Sequence, residues 1–273
     1  MKPRALLIPL LACTLGCGST GVGNPGIGGK DQQLVTRGHD ALSAGDTGSS
    51  LNLIPVLALR GDPAVEDTAA VVNLVVERTA MFFEPTGCLS ATADGASVTF
   101  TFDGCTSTDF TDDRLTGTLE ATYELVPPRS VDIALATEPT LSVGASEVTF
   151  TSQSLATLRG EEKTLNWAGR YQSSRPDEPD LDTQGSYVAT RDEASGCLLL
   201  EGTATTTFAD GSQLESTVSE YQRCGPRGMC PVQGELALTS LPDRDRSLAL
   251  AYDGDESAFV DALQSDATVQ CTP

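Results

Sequence analysis

Ser97-Val98-Thr99-Phe100-Thr101-Phe102 alternates polar and apolar residues, a period that is typical of a β-strand with one buried and one solvated face. The same period recurs in five later segments, at 119–123, 131–135, 147–151, 185–189 and 235–239. Asp-Gly dipeptides, which favour tight turns, occur at 94–95, 103–104, 210–211 and 253–254. We therefore predict a mainly β protein, an antiparallel meander of about ten or more short strands that forms a sandwich or a curved open barrel.

The segment 65–84 has the apolar spacing of a helix. Glu66 and Asp67 suit the first turn, where negative charge is favourable, and Pro85 ends the run. We predict one N-terminal helix, about 65–84, packed on the sheet; its β-branched valines leave a strand as the alternative. A short helix is also predicted at 256–263, between the last strands.

The N-terminus has the three parts of a secretory signal. Met-Lys-Pro-Arg is cationic, 5–12 is apolar, and a small residue, Gly16, precedes Cys17. The apolar run is shorter than the roughly 20 residues that a membrane-spanning helix needs. We predict a signal peptide over 1–16.

Two cysteines compete for a lipid. Leu10-Leu11-Ala12-Cys13 has the better lipobox letters but leaves a signal of twelve residues, whereas Thr14-Leu15-Gly16-Cys17 departs at its first position and gives a more usual length. The chain from Gly16 to Gly29 is dense in glycine. This start resembles predicted bacterial lipoproteins of the myxobacterial type, most of which have no assigned function; the resemblance is limited to the signal, the lipobox and the glycine-rich tether.

The resemblance implies a lipoprotein with palmitate on Cys17, or alternatively on Cys13, that is exported to the outer membrane. Gly18 after the lipidated cysteine is compatible with that delivery. An ordinary cleaved signal without lipid is the other interpretation. We expect 17–50 to be a Gly/Ser-rich tether, in which His39 is a solvated residue, and 51–273 to be a disulfide-bonded β-rich domain.

A weak internal similarity joins Gly87-Cys88-Leu89 to Gly196-Cys197-Leu198. It predicts two related units, about 87–195 and 196–273. The alternative is that cysteine, glycine and threonine recur because β-hairpins favour them.

The net charge is −21, from 17 basic and 38 acidic residues. Such a chain repels phosphate backbones, so we expect no nucleic-acid partner. Anionic membrane surfaces repel it as well, so the expected membrane link is the covalent lipid.

Eight cysteines are present. Without Cys13 and Cys17 an even number remains, and an oxidising compartment favours pairing them as disulfides. The segment between Cys88 and Cys105 has the pattern of one hairpin, which makes this pair the best supported. The predicted disulfides are Cys88–Cys105, Cys197–Cys224 and Cys230–Cys271, with Cys224–Cys230 as an alternative. The cysteines lack the C-x-x-C spacing of a zinc site.

The region after residue 50 contains no histidine, which excludes Ser-His-Asp and Cys-His catalysis there. We predict no catalytic residues and no cofactor. Asp253, Asp255 and Glu256 are a weak calcium candidate, for which an Asp-Gly turn is the simpler interpretation. Trp167 alternates with polar neighbours and is expected in the core, with an exposed ligand-binding position as the alternative.

These observations favour a lipid-anchored envelope protein that faces the periplasm or the cell surface. We expect a structural or binding role, without enzymatic activity, and an envelope protein as partner. One alternative is a hydrolase of envelope glycans, which requires two carboxylates about 5–9 Å apart. The other is a carrier of apolar ligands, which requires a cavity within the curved sheet.

Overall fold

Thirteen antiparallel strands follow one another in chain order and form one open sheet, with β1 and β13 at its edges. The computed structural model describes residues 29–59, 65–107, 111–127, 129–159, 162–175, 178–192, 194–224, 231–242, 244, 246–254, 257–260 and 265–268. The strands are β1 Leu89–Asp94, β2 Ser97–Ser107, β3 Thr111–Val126, β4 Ser130–Val143, β5 Ser146–Arg159, β6 Glu162–Arg175, β7 Glu178–Asp192, β8 Cys197–Phe208, β9 Gln213–Cys224, β10 Gln233–Leu241, β11 Ser247–Tyr252, β12 Ser257–Val260 and β13 Ser265–Thr268. The predicted mainly β, antiparallel meander is confirmed.

The two-residue period sets which side of each strand is buried. All six segments with that period lie in strands, and in β2 Val98, Phe100 and Phe102 are buried while their polar neighbours are more exposed. The buried sides together form the inner face of the sheet, which the helices cover. The opposite, polar side is called the outer face.

Most of the Asp-Gly pairs lie between strands, as predicted. The dipeptides at 94–95 and 210–211 lie in the β1–β2 and β8–β9 connections, and 253–254 lies between β11 and β12. The dipeptide at 103–104 is instead inside β2, so the prediction of a turn there is wrong. Gly104 has φ +68° at a register shift against β3, which shows that the glycine serves a β-bulge.

The predicted N-terminal helix is present. Helix α2 spans Thr68–Arg78 and continues as a 3-10 helix, Thr79–Phe82, before Pro85. The Asp67 side chain accepts a hydrogen bond of 2.8 Å from the Ala70 amide and caps the helix. The alternative of a strand in this segment is wrong. The predicted helix at 256–263 is also wrong in its described part, because Ser257–Val260 is a strand that pairs with β11 and β13.

A further helix, α1, spans Gly29–Leu53 and is followed by a 3-10 helix, Ile54–Leu59. The prediction of a tether up to residue 50 is therefore wrong over 29–50. Residues 44–59 are all buried, although eight of them at 44–52 are Gly, Ala, Ser, Thr, Asn or Asp. Residues 1–28, which include the predicted signal, Cys13 and Cys17, lie outside the described residues. No helix in the described part is long and apolar enough to span a membrane.

Helix α1 crosses the strands on the inner face. Its contacts, taken along the helix, are Asp31 with Arg246, Gly38 with Leu238, Asp46 with Arg223, Ser49 with Trp167 and Asn52 with Ser152. These partners lie, in the same order, at the start of β11 and in β10, β9, β6 and β5. Asn52 is 21 positions after Asp31, which corresponds to about 32 Å at the helical rise, close to the roughly 29 Å of six strand spacings.

The sheet is continuous across the boundary of the two units predicted from the internal similarity. β7 pairs with β8 from Leu181 opposite Phe208 to Asp192 opposite Cys197. Whether 87–195 and 196–273 are related stays a prediction, but they share one sheet.

Small residues let α1 approach the aromatic rings of the inner face. A Cβ at Gly48 would lie 2.7 Å from Trp167 Cη2 and 3.2 Å from Phe150 Cε2. We expect Gly48→Ala to lower the free energy of unfolding by about 1–3 kcal/mol, because the added methyl group overpacks the core. Urea unfolding followed by Trp167 fluorescence measures this change.

Gly29→Ala is the matched control, because a Cβ at Gly29, the first residue of α1, meets nothing within 4 Å. Its free energy of unfolding is expected to stay within about 0.5 kcal/mol of the wild-type value. Equal stability of the two variants would contradict the close packing of α1.

Candidate functional site

A buried ion pair joins α1 to β9. Arg223 Nε donates to Asp46 Oδ2 at 3.1 Å and Nη2 donates to Oδ1 at 2.9 Å. The two side chains are 1% and 6% exposed, respectively. This two-bond geometry satisfies both oxygens of the carboxylate away from water. Asp46 and Arg223 therefore fix the position of α1 on the sheet.

Trp167 is part of the contact between α1 and the sheet. Its Nε1–H donates to Ser49 Oγ at 3.0 Å, and Ser49 Oγ donates to the Gly45 carbonyl at 2.8 Å. Its ring stacks on Tyr187 with centroids 4.9 Å apart, and the Trp167 residue is 4% exposed. The prediction that Trp167 fills the core is confirmed.

His39 is not the solvated residue that the sequence predicted. It lies on α1, half-buried, with Nδ1 3.3 Å from the Tyr252 hydroxyl of β11. Its Nε2 is buried and has no hydrogen-bond partner in the described part. Burial lowers the pKa of His39 to about 4, so the ring is neutral at pH 7.

Two of the predicted disulfides are present. Cys88–Cys105 ties the start of β1 to β2, and Cys197–Cys224 joins directly opposite residues of β8 and β9. Cys230 and Cys271 lie outside the described residues, as do Asp255 and Glu256 of the calcium candidate. The described residues, which include Asp253, contain no group of three His, Cys, Asp or Glu side chains that could hold a metal ion.

Eight exposed residues on β5–β8 form two neighbouring rows across the outer face. The first row is Leu155, Asn166, Val188 and Glu201, and the second is Gln153, Ala168, Ser186 and Thr203. Within each row, residues on adjacent strands are direct partners in the sheet. Their side chains point outward because the residues between them, such as Trp167 and Tyr187, point inward.

These rows surround a shallow depression of about 570 Å³, called the outer groove here and lined by Gln153, Asn166, Trp167, Ala168, Ser186, Tyr187, Val188, Glu201, Gly202 and Thr203. Leu155 adjoins it at the β5 end of the first row. A Cβ at Gly202 would collide with the Ser186 carbonyl oxygen and the Tyr187 ring. Glycine is therefore required where β8 passes closest to β7.

The outer groove combines hydrogen-bonding groups with exposed apolar groups. Leu155 and Val188 are 36% and 37% exposed and are large apolar residues on a face that is otherwise mostly polar. Within the described part of the chain, no side-chain hydrogen bond is made by the polar side chains Gln153, Asn166, Ser186, Glu201 and Thr203. The two amides can each donate and accept, the hydroxyls can do either, and Glu201 can accept. These groups are thus available to a ligand.

Comparison with models of protein families, with curated proteins and with solved structures found no match to this chain. The interpretation of the outer groove therefore rests on its own residues.

The sequence predictions did not include the outer groove, although one pattern in the sequence indicates it. The positions of β5 and β7 whose side chains point outward are otherwise polar, yet Leu155 and Val188 occupy two of them. An apolar residue in the solvated phase of a strand marks an exposed apolar position, and two such residues on strands close in the sheet mark a patch. Only the strand register shows that they belong to one row.

The Asp46–Arg223 pair has a testable energetic consequence. We expect Arg223→Met to lower the free energy of unfolding by about 3–5 kcal/mol, because Asp46 is left buried without its guanidinium. Denaturant unfolding measures the loss. The double variant Asp46→Leu/Arg223→Met should recover part of it, since no charge is then buried.

Arg170→Met is the control. Arg170 pairs with Asp182 at 2.9 Å, but the two side chains are 55% and 33% exposed, so we expect a much smaller loss than for Arg223→Met. Equal losses for the two arginine variants would show that Asp46–Arg223 is not a buried pair.

Proposed function

We propose that this protein is a lipid-anchored envelope protein with a binding role, and that the outer groove is its binding surface. The observation that carries the proposal is the two-row arrangement on β5–β8. It brings unpaired amide, hydroxyl and carboxylate groups together with two exposed apolar side chains. These residues lie on four strands that are hydrogen-bonded to one another, so the register of the sheet sets their relative positions.

The inner face supports this choice of surface. A curved sheet that carries an apolar ligand holds it on the inner face. In this protein α1, α2 and the 3-10 helices cover that face, and residues 44–59 are all buried there. The covered inner face therefore disfavours a carrier of apolar ligands, and it leaves the outer face as the binding surface.

The carboxyl groups weigh against a hydrolase. Two carboxylates are needed, one of them with a raised pKa. Among the described residues that line the outer groove, Glu201 is the one carboxylate. Hydrogen bonds from Arg170, Ser195 and Ser212 lower the pKa of three carboxyl groups elsewhere on the sheet: Asp182, Asp192 and Asp210.

The proposed location is the outer membrane, with the folded part facing the periplasm or the cell surface. The N-terminal signal, the lipobox cysteines and the two disulfides support export to an oxidising compartment. The net charge of −21 disfavours nucleic acid as a partner.

The anchor is tested by metabolic labelling with radioactive palmitate. We expect the wild type and Cys13→Ala to be labelled and Cys17→Ala to lose the label, because the thiol of Cys17 receives the lipid. If the label is lost in Cys13→Ala and kept in Cys17→Ala, the lipid is attached to Cys13 and not to Cys17. Labelling in neither the wild type nor any variant would contradict lipidation.

The binding role is tested with a photo-crosslinking amino acid, p-benzoylphenylalanine, in cells of the organism that encodes the protein. Ser186, in the centre of the outer groove, is replaced by it. We expect irradiation to give a crosslinked species because the groove is occupied in the envelope.

The matched control places the same amino acid at Thr101, an exposed position on β2 outside the outer groove. It should give no such species. If the yields at Ser186 and Thr101 are equal, the outer groove has no ligand in the cell and the proposal is wrong.

A further inference from the structure

The geometry points to an extended peptide segment with a basic side chain as the ligand of the outer groove. This inference rests on the proposed binding function and adds the chemical class and orientation of the ligand.

The length of the outer groove fits a short extended peptide. Each row crosses four strands, β5 to β8, and three strand spacings span about 14 Å. An extended peptide rises about 3.3 Å per residue, so four residues cover the same distance. The rows therefore match a tetrapeptide that lies across the strands.

The middle of the outer groove suits a peptide backbone. Gln153 and Asn166 lie in different rows on the neighbouring strands β5 and β6. Each carries an amide that can donate to a carbonyl and accept from an N–H, as a peptide requires. Ser186 and Thr203 add hydroxyls that can do either, and none of these four side chains has a hydrogen-bond partner among the residues that the structure describes.

The two ends of the outer groove differ in chemistry. At β5 the first row begins with Leu155, and at β8 it ends with Glu201. Beyond Glu201, β9 has a bulge that contains Glu220, and Glu235 follows on β10, so the acidic character continues. An apolar side chain is thus favoured at the β5 end and a basic one at the β8 end.

The charges around the outer groove agree with this orientation. Arg170, on the same face of β6, is already paired with Asp182 and does not neutralise the acidic end. The net charge of −21 attracts a cationic segment from a distance and repels an anionic one. A neutral glycan would use the amides but would leave the acidic end without a role.

The test uses the full-length protein in detergent micelles and four fluorescently labelled probes. Three are the tetrapeptide amide Leu-Ala-Ala-Lys and the same peptide with norleucine or glutamate in place of lysine. The fourth is chitotetraose, a neutral N-acetylated glycan. Fluorescence anisotropy at low salt measures the dissociation constants.

We expect the lysine peptide to bind about fivefold more tightly than the norleucine peptide, the upper range for an exposed ion pair. The glutamate peptide should bind more weakly than both. Glu201→Gln should reduce the advantage of lysine towards that of norleucine, and 0.5 M salt should do the same. Glu124→Gln, an exposed glutamate on β3, is the control and should keep the preference.

Equal binding of the lysine and glutamate peptides, or no binding of any peptide, would overturn the inference. If chitotetraose binds and the peptides do not, the ligand is a glycan and the proposed binding function stands. If, in addition, p-benzoylphenylalanine in place of Ser186 gives no crosslink in cells, the proposed binding function is wrong as well.

Discussion

The structure depends on the burial of a polar helix against one face of the sheet. α1 has few large apolar residues over 43–50, so it cannot be held there by apolar side chains alone. Its small residues bring the helix backbone close to Trp167 and Tyr187, and the Ser49 and Asp46 side chains bond to Trp167 and Arg223 of the sheet. Without those partners, the free-energy cost of burying the Asp46 carboxylate would exceed the stabilisation that the packing of α1 contributes.

The contact between α1 and the inner face also determines the shape of the outer groove. The Trp167 and Tyr187 side chains point inward to α1, while the backbone of both residues lines the outer groove on the other side. Their stacked rings fill the inner face at the glycine-rich part of β6–β8, where Gly169, Gly185 and Gly202 bring the strands close. The position of α1 therefore supports the shape of the outer face, and a change in α1 is expected to alter the outer groove.

The sequence predicted the sheet well because its evidence is local. A period of two residues and Asp-Gly turns identify strands without knowledge of their neighbours, and α2 is identified by its apolar spacing and the position of Asp67. The same local reasoning failed for α1, because a stretch rich in glycine and serine, such as 43–50, is usually flexible coil. The partners that make it a buried helix, Ser152, Trp167 and Arg223, lie 100 to 177 residues away in the sequence.

The outer groove was missed for a related reason. Leu155 and Val188 each look like an isolated exception to the alternation, and only the register brings them into one row with Asn166 and Glu201. The bulge at Gly104 was predicted as a turn because Asp-Gly favours both. In each case the local pattern was compatible with two structures, and pairing between strands decided between them.

Hydrogen exchange of the full-length protein, followed by mass spectrometry, tests the burial of α1 most directly. Amides of 44–53 should exchange as slowly as those of β5–β9, because the helix opens only when the sheet that surrounds it opens. Exchange of these amides within seconds, while β5–β9 stay protected, would show that the segment is a solvated tether and would contradict the account.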